Sequence, residues 1–158
     1  MMDSEKKQEY TRRVTQANST EMVVIIYDIA LDYIAEAKDA INAGDDEKFR
    51  TSVRLLQGCL YELLQSLDLK YDLARDLRNL YGFCIRQLGI STAKRSTKEL
   101  ENVKNVLAPL REAYSKITGE NKKGPVMGNS ETVFAGLTYG KEELIESLST
   151  SPNRGFFA

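Results

Sequence analysis

No glycine or proline interrupts the chain before Gly44, and within that stretch residues 22–31 are apolar at nine of ten positions. So long a run without a turn residue has to be one regular element. Its start signal is helical. Asn18-Ser19-Thr20-Glu21 stands just ahead of the apolar run. Asn18 can accept from the free backbone N–H groups of a first turn while Glu21 reaches back, as in a capping box. The spacing predicts a helix from about Asn18 to Asn42, stopped at Ala43-Gly44-Asp45, where Gly44 suits the left-handed residue after a helix end.

Three more helices follow from periodicity. Phe49, Val53, Leu56, Leu60, Leu63, Leu64 and Leu67 recur in steps of three and four, predicting a helix from about Asp46 to Leu67. Leu73, Leu77, Leu80, Tyr81, Cys84 and Leu88 predict another from about Asp72 to Gly89. Ser96-Thr97-Lys98-Glu99 opens the last, which carries Leu100, Val103, Leu107, Leu110, Tyr114 and Ile117 and ends at Gly119. Pro109 lies inside it and predicts a kink. No stretch alternates with period two long enough for a sheet. Short connections make neighbouring helices antiparallel. The expected fold is therefore all-α: an antiparallel up-down four-helix bundle over residues 18–119, with an N-terminal capping segment over 1–17 and a C-terminal tail over 120–158.

In the capping segment, Tyr10 and Val14 form an i, i+4 apolar pair, enough to dock it on the bundle. In the tail the composition changes: half of the ten glycines and two of the three prolines lie beyond Gly119, so Glu120 to Ser130 reads as a linker. Val133, Phe134, Leu137 and Tyr139 then cluster, Leu144, Ile145 and Leu148 follow at helical spacing, and Phe156 and Phe157 come near the end. Phe134, Leu137, Tyr139, Leu144 and Leu148 are candidate docking residues for a tail that folds back on the bundle.

The first predicted helix has more apolar surface than one core stripe requires. At 100° per residue, Met22, Ile26, Ile29, Ala30, Tyr33, Ala37 and Ala40 share one side. Val24, Leu31 and Ala35 point almost the opposite way, with Tyr27 between the two sides. A second apolar face is either covered by the N-terminal segment or open to an amphipathic partner. On the second predicted helix Leu55 and Cys59 widen the apolar face in the same manner. Val24, Tyr27, Leu31, Ala35, Leu55 and Cys59 are thus the candidate contacts for a partner segment. Asp28 and Asp32, at i, i+4, read as a solvated shoulder.

Composition narrows the chemistry. The chain contains no histidine, which removes imidazole acid–base catalysis and histidine metal ligands. Cys59 and Cys84 are too few for a cysteine-only zinc site and fall in apolar helical patterns, so they read as buried small hydrophobes. No phosphate-binding glycine loop is present. The expectation is no enzyme, no cofactor and no metal. With 22 Lys plus Arg against 23 Asp plus Glu, the net charge of −1 gives no electrostatic reason to bind nucleic acid. The first residues lack the apolar core of a signal peptide, and the longest apolar stretch falls short of the ~20 residues that span a bilayer. The chain is expected to be soluble and cytoplasmic, with no membrane insertion.

Several of these residues also stand in a familiar order. Tyr10, Val14, the turn Gln16-Ala17-Asn18-Ser19, Glu21-Met22 and Ile26-Tyr27-Asp28 resemble the opening of the flagellin-specific export chaperones, the FliS family. So do Glu62-Leu63 with Ser66-Leu67-Asp68, then Asn79-Leu80-Tyr81 with Leu88, and Arg111 with Tyr114. Gln16, Asn18 and Ser19 replace the family's usual Thr, Ser and Pro at the turn, and Ile29 replaces its usual Gly. The tail has no counterpart in the family pattern. The resemblance implies a chaperone that binds the disordered C-terminal region of flagellin, prevents its premature polymerisation and delivers it to the flagellar type III export apparatus. The other reading is a structural or regulatory helical module that self-associates through the same apolar face.

Overall fold

The computed structural model describes residues 3–123. Its five helices are α1 (Ser4–Gln16), α2 (Ser19–Ala43), α3 (Asp46–Gln65), α4 (Asp72–Lys94) and α5 (Lys98–Lys123), with no strand among the described residues. The predicted tail-docking residues Phe134, Leu137, Tyr139, Leu144 and Leu148 lie outside the described residues.

Side-chain caps set three of the starts. The carboxylate of Asp3 accepts from Lys6 N at 2.8 Å, the amide oxygen of Asn18 from Glu21 N at 2.9 Å, and the carboxylate of Asp45 from Lys48 N at 3.1 Å. Each satisfies one of the backbone donors that a helix start leaves open. The end of α2 is as the sequence indicates. Gly44 takes φ 69°, its N–H donates to Ile41 O, and Asp45 N–H donates to Ala40 O. This closes the helix with the paired bonds of a left-handed C-terminal cap.

Two glycines do not end helices as expected. α4 runs through Gly89 to Lys94, and the left-handed residue is Arg95 at φ 56°. Tertiary contacts outweigh the local signal here. Leu88 and Ser91 are fully buried, and the Ser91 hydroxyl donates to Ser96 O at 2.7 Å across the turn. Arg95 stacks its guanidinium 5.4 Å from the Phe49 ring centre and pairs with Asp46, which offsets the cost of roughly 1–2 kcal/mol that a non-glycine residue meets in this conformation. Likewise α5 is one helix through Pro109 and Gly119 to Lys123, so the first residues assigned to a linker are helical.

α2 packs against α3 and α5, α4 packs against the same two helices, and α1 lies on α2. Tyr27 stands at the middle. Its hydroxyl shares a hydrogen bond with that of Tyr81 on α4, and its ring meets Tyr114 of α5 at 5.8 Å between centroids. Phe49, Leu56, Leu60 and Leu63 close the core from α3, and Leu100, Val103 and Leu107 from α5. Cys59 and Cys84 are buried free thiols. The predicted α4 stripe needs correction: Leu77, Tyr81, Cys84 and Leu88 are buried, but Leu73 and Leu80 are 40% and 38% exposed. They lie on a helix line next to the core line, and periodicity alone does not choose between adjacent lines.

Candidate functional site

The short turn at Ala17 folds α1 back along α2, so the two run antiparallel. The pairing of residues shows it: Lys6 and Tyr10 meet Asp32, and Arg13 meets Asp28 one turn earlier on α2. Lys6, Tyr10 and Arg13 fall on one side of α1 at spacings of four and three. They face a pair of carboxylates that share one side of α2. Tyr10 donates its hydroxyl to the Asp32 carboxylate, and Lys6 Nζ lies 3.1 Å from the other oxygen of Asp32. Arg13 donates to Asp28 Oδ2 at 2.9 Å and stacks 5.4 Å from the Tyr10 ring centre. Beneath this polar layer Tyr10 and Val14 are buried.

Asp28 has a second guanidinium. Arg111 of α5 donates to Asp28 Oδ1 at 2.8 Å. One carboxylate therefore holds α1, α2 and α5 together, and its side chain is only 16% exposed. Pairing with Asp28 strengthens the hold of Arg111 on its proton. Burial, and then the hydrogen bond to Asp32, push the Tyr10 hydroxyl well above the usual phenol range. It stays a donor at neutral pH. Asp28 and Asp32 are thus not the solvated shoulder that their spacing suggested. Their signal was present in the sequence: two acids at i, i+4 break the otherwise apolar run of residues 22–35, and Lys6 and Arg13 offer the matching charge.

The candidate partner contacts are placed as follows. Val24, Tyr27, Leu55 and Cys59 are buried, Leu31 is partly buried against the core, and Ala35 is exposed. The second apolar side of α2 is covered at Val24, partly covered at Leu31 and open at Ala35. Val24 and Leu31 flank the Asp28–Asp32 line on which α1 lies, while Tyr27, Leu55 and Cys59 face neighbouring helices. Tyr10 and Val14 are brought together on α2, whereas the tail residues lie outside the described part. Among the described residues, the large apolar side chains open to water are others: Tyr61, Leu69, Leu73, Leu80 and Ile90.

No group of three or more acidic or cysteine side chains suited to a metal occurs among the described residues. Burial raises both thiols, Cys84 to about 12 and Cys59 further, so neither is a ready thiolate. No helix among the described residues is long and apolar enough to cross a membrane. What the arrangement offers is an apolar helix whose one side is covered by a short, polar-edged, locally tethered helix. A family model described as Flagellar protein FliS matches residues 2–121. No curated protein matches the chain.

Proposed function

The chain belongs to the FliS family of flagellar proteins, and on that premise we propose that it is a cytoplasmic export chaperone for flagellin. It binds the C-terminal region of flagellin, keeps that region from polymerising early, and hands it to the flagellar type III export apparatus. Its working form is a four-helix bundle of α2 to α5 with α1 as the cap. The observation that carries this reading is the way α1 covers α2. Two apolar side chains, Tyr10 and Val14, are seated under a rim of ion pairs.

Burying two such side chains stabilises by roughly 2–4 kcal/mol at ~25 cal/mol per Å². Fixing a dozen residues opposes this by a similar or larger amount. The balance leaves α1 displaceable, and its departure uncovers Val24 and Leu31 for an amphipathic client helix. Buried Tyr27, Leu55 and Cys59 support that face from within.

Calorimetric titration tests the reading. Intact flagellin is expected to bind with a strongly negative heat-capacity change, because a disordered segment folds as it binds. Flagellin truncated at its C-terminus is expected not to bind. Equal affinity for the two would refute the assignment. Light scattering on the free chain separates the self-association reading, which requires growth in mass without any client.

A further inference from the structure

Leu73 and Leu80 lie two turns apart on one line of α4, and both are open to water. The next residue on that line, Gln87, accepts a 2.9 Å hydrogen bond from Asn102 of α5. The line therefore borders the seam between α4 and α5, which a turn of three residues joins as an antiparallel pair. Carrying the Gln87–Asn102 register along both helices sets Leu80 level with Pro109 and Leu73 level with Lys116. On the α5 side Val106, Leu110 and Ile117 are only partly buried and form the facing wall. Leu69, just before α4, is 41% exposed as well. Apolar side chains thus edge the seam, with the exposed Asp76 and Lys116 among them, toward the end of the molecule where α5 finishes at Lys123.

The chain beyond Lys123 starts beside this strip. Its sequence holds the apolar cluster Val133, Phe134 and Leu137, then Leu144, Ile145 and Leu148 at helical spacing. Ten residues separate Lys123 from Phe134; a coil of that length spans about 16–19 Å. Helical rise places the level of Leu73 about 10 Å back from Lys123 and that of Leu80 about 20 Å back. Both lie within reach.

We propose that residues 133–148 fold back along the α4–α5 seam, with Phe134 and Leu137 beside Leu73 and with Leu144, Ile145 and Leu148 beside Leu80. The occupant is this chain's own C-terminal segment. A short tether holds it at an effective concentration in the millimolar range, so a contact of low intrinsic affinity suffices to cover the strip. The proposal needs no client and stands apart from the assignment to flagellin export.

Disulfide trapping in the full chain tests it. One variant carries Leu80→Cys with Leu144→Cys, the other Tyr61→Cys with Leu144→Cys. Tyr61 is equally open, at 43%, but sits on α3, on the opposite side of α4 from the seam. Cys59 and Cys84 stay inert because they are buried. Under mild oxidation of dilute protein, the Leu80→Cys pair is expected to close within one chain at least tenfold faster than the Tyr61→Cys pair. Equal rates would overturn the proposal, as would a disulfide-linked dimer as the main product, which would assign the seam to a second copy. A second measurement leaves the seam native: Phe134→Asp is expected to shift the amide resonances of residues 73–80, and unchanged resonances would overturn the proposal as well.

Discussion

Asp28 accepts from Arg13 on α1 and Arg111 on α5, so the two arginines are not equivalent. Arg13→Ala removes one arm of a partly exposed pair. Its expected effect is about 0.5–1 kcal/mol, confined to α1. Amide exchange should speed up in α1 while the thermal midpoint stays nearly unchanged. Asp28→Ala removes the shared acceptor and leaves two guanidiniums beside an apolar helix. Charged hydrogen bonds contribute about 1.5–3 kcal/mol, so this variant should lose two to three times as much as Arg13→Ala. A global denaturant melt reads the difference, and equal losses in the two variants would show that Arg111 contributes nothing through Asp28. The sequence carried much of this layer: Tyr10 and Val14 were legible as a docking pair. The pairing across 83 positions between Asp28 and Arg111 was not, because it depends on how α5 is rotated against α2.

At the scale of elements, caps were the legible part. Asn18 and Gly44 bound α2 through local chemistry that the sequence spells out. Gly89 misled because its neighbours Leu88 and Ser91 are buried, and their packing continues α4 past it. The surplus apolar side of α2 was legible, with cover by the N-terminal segment as one of two readings, since periodicity ranks sides of a helix without choosing what lies against them. Gly89 also makes a prediction. It is exposed, sits inside a helix, and a Cβ there would meet nothing within 4 Å. Gly89→Ala should stabilise the fold by about 0.5–1 kcal/mol, through the lower backbone entropy of alanine in the unfolded chain. Gly44→Ala should do the opposite, since φ there is 69°. Thermal melts of the two variants should move in opposite directions; a fall for Gly89→Ala would mean that α4 needs to bend there.

For the whole molecule, the buried phenols and thiols set an alkaline limit. Burial holds Tyr10, Tyr33 and Tyr81 above the usual phenol value of 10.0 and raises Tyr114 to about 12. Cys59 and Cys84 are raised above 9.0 by the same cause. Once pH passes the unfolded values, the unfolded chain gives up these protons and the folded chain keeps them. Stability from these groups is fully present below about pH 9 and falls as pH rises beyond it. The tyrosinate absorbance of these four buried phenols should therefore appear only together with the loss of helical circular dichroism above pH 10. A full rise in absorbance with the helices intact would show these side chains to be open to solvent.

The turn between α1 and α2 has a consequence in time. It is so short that α1, once lifted, stays within a few residues' length of its seat. Closing a loop of ten residues takes roughly 10–100 ns. A second protein at micromolar concentration arrives on the order of 0.1–10 times per second at ordinary association rates. If α1 is the displaceable cover, a bare α2 is resealed by its own chain many times over before a stray neighbour can adhere to it.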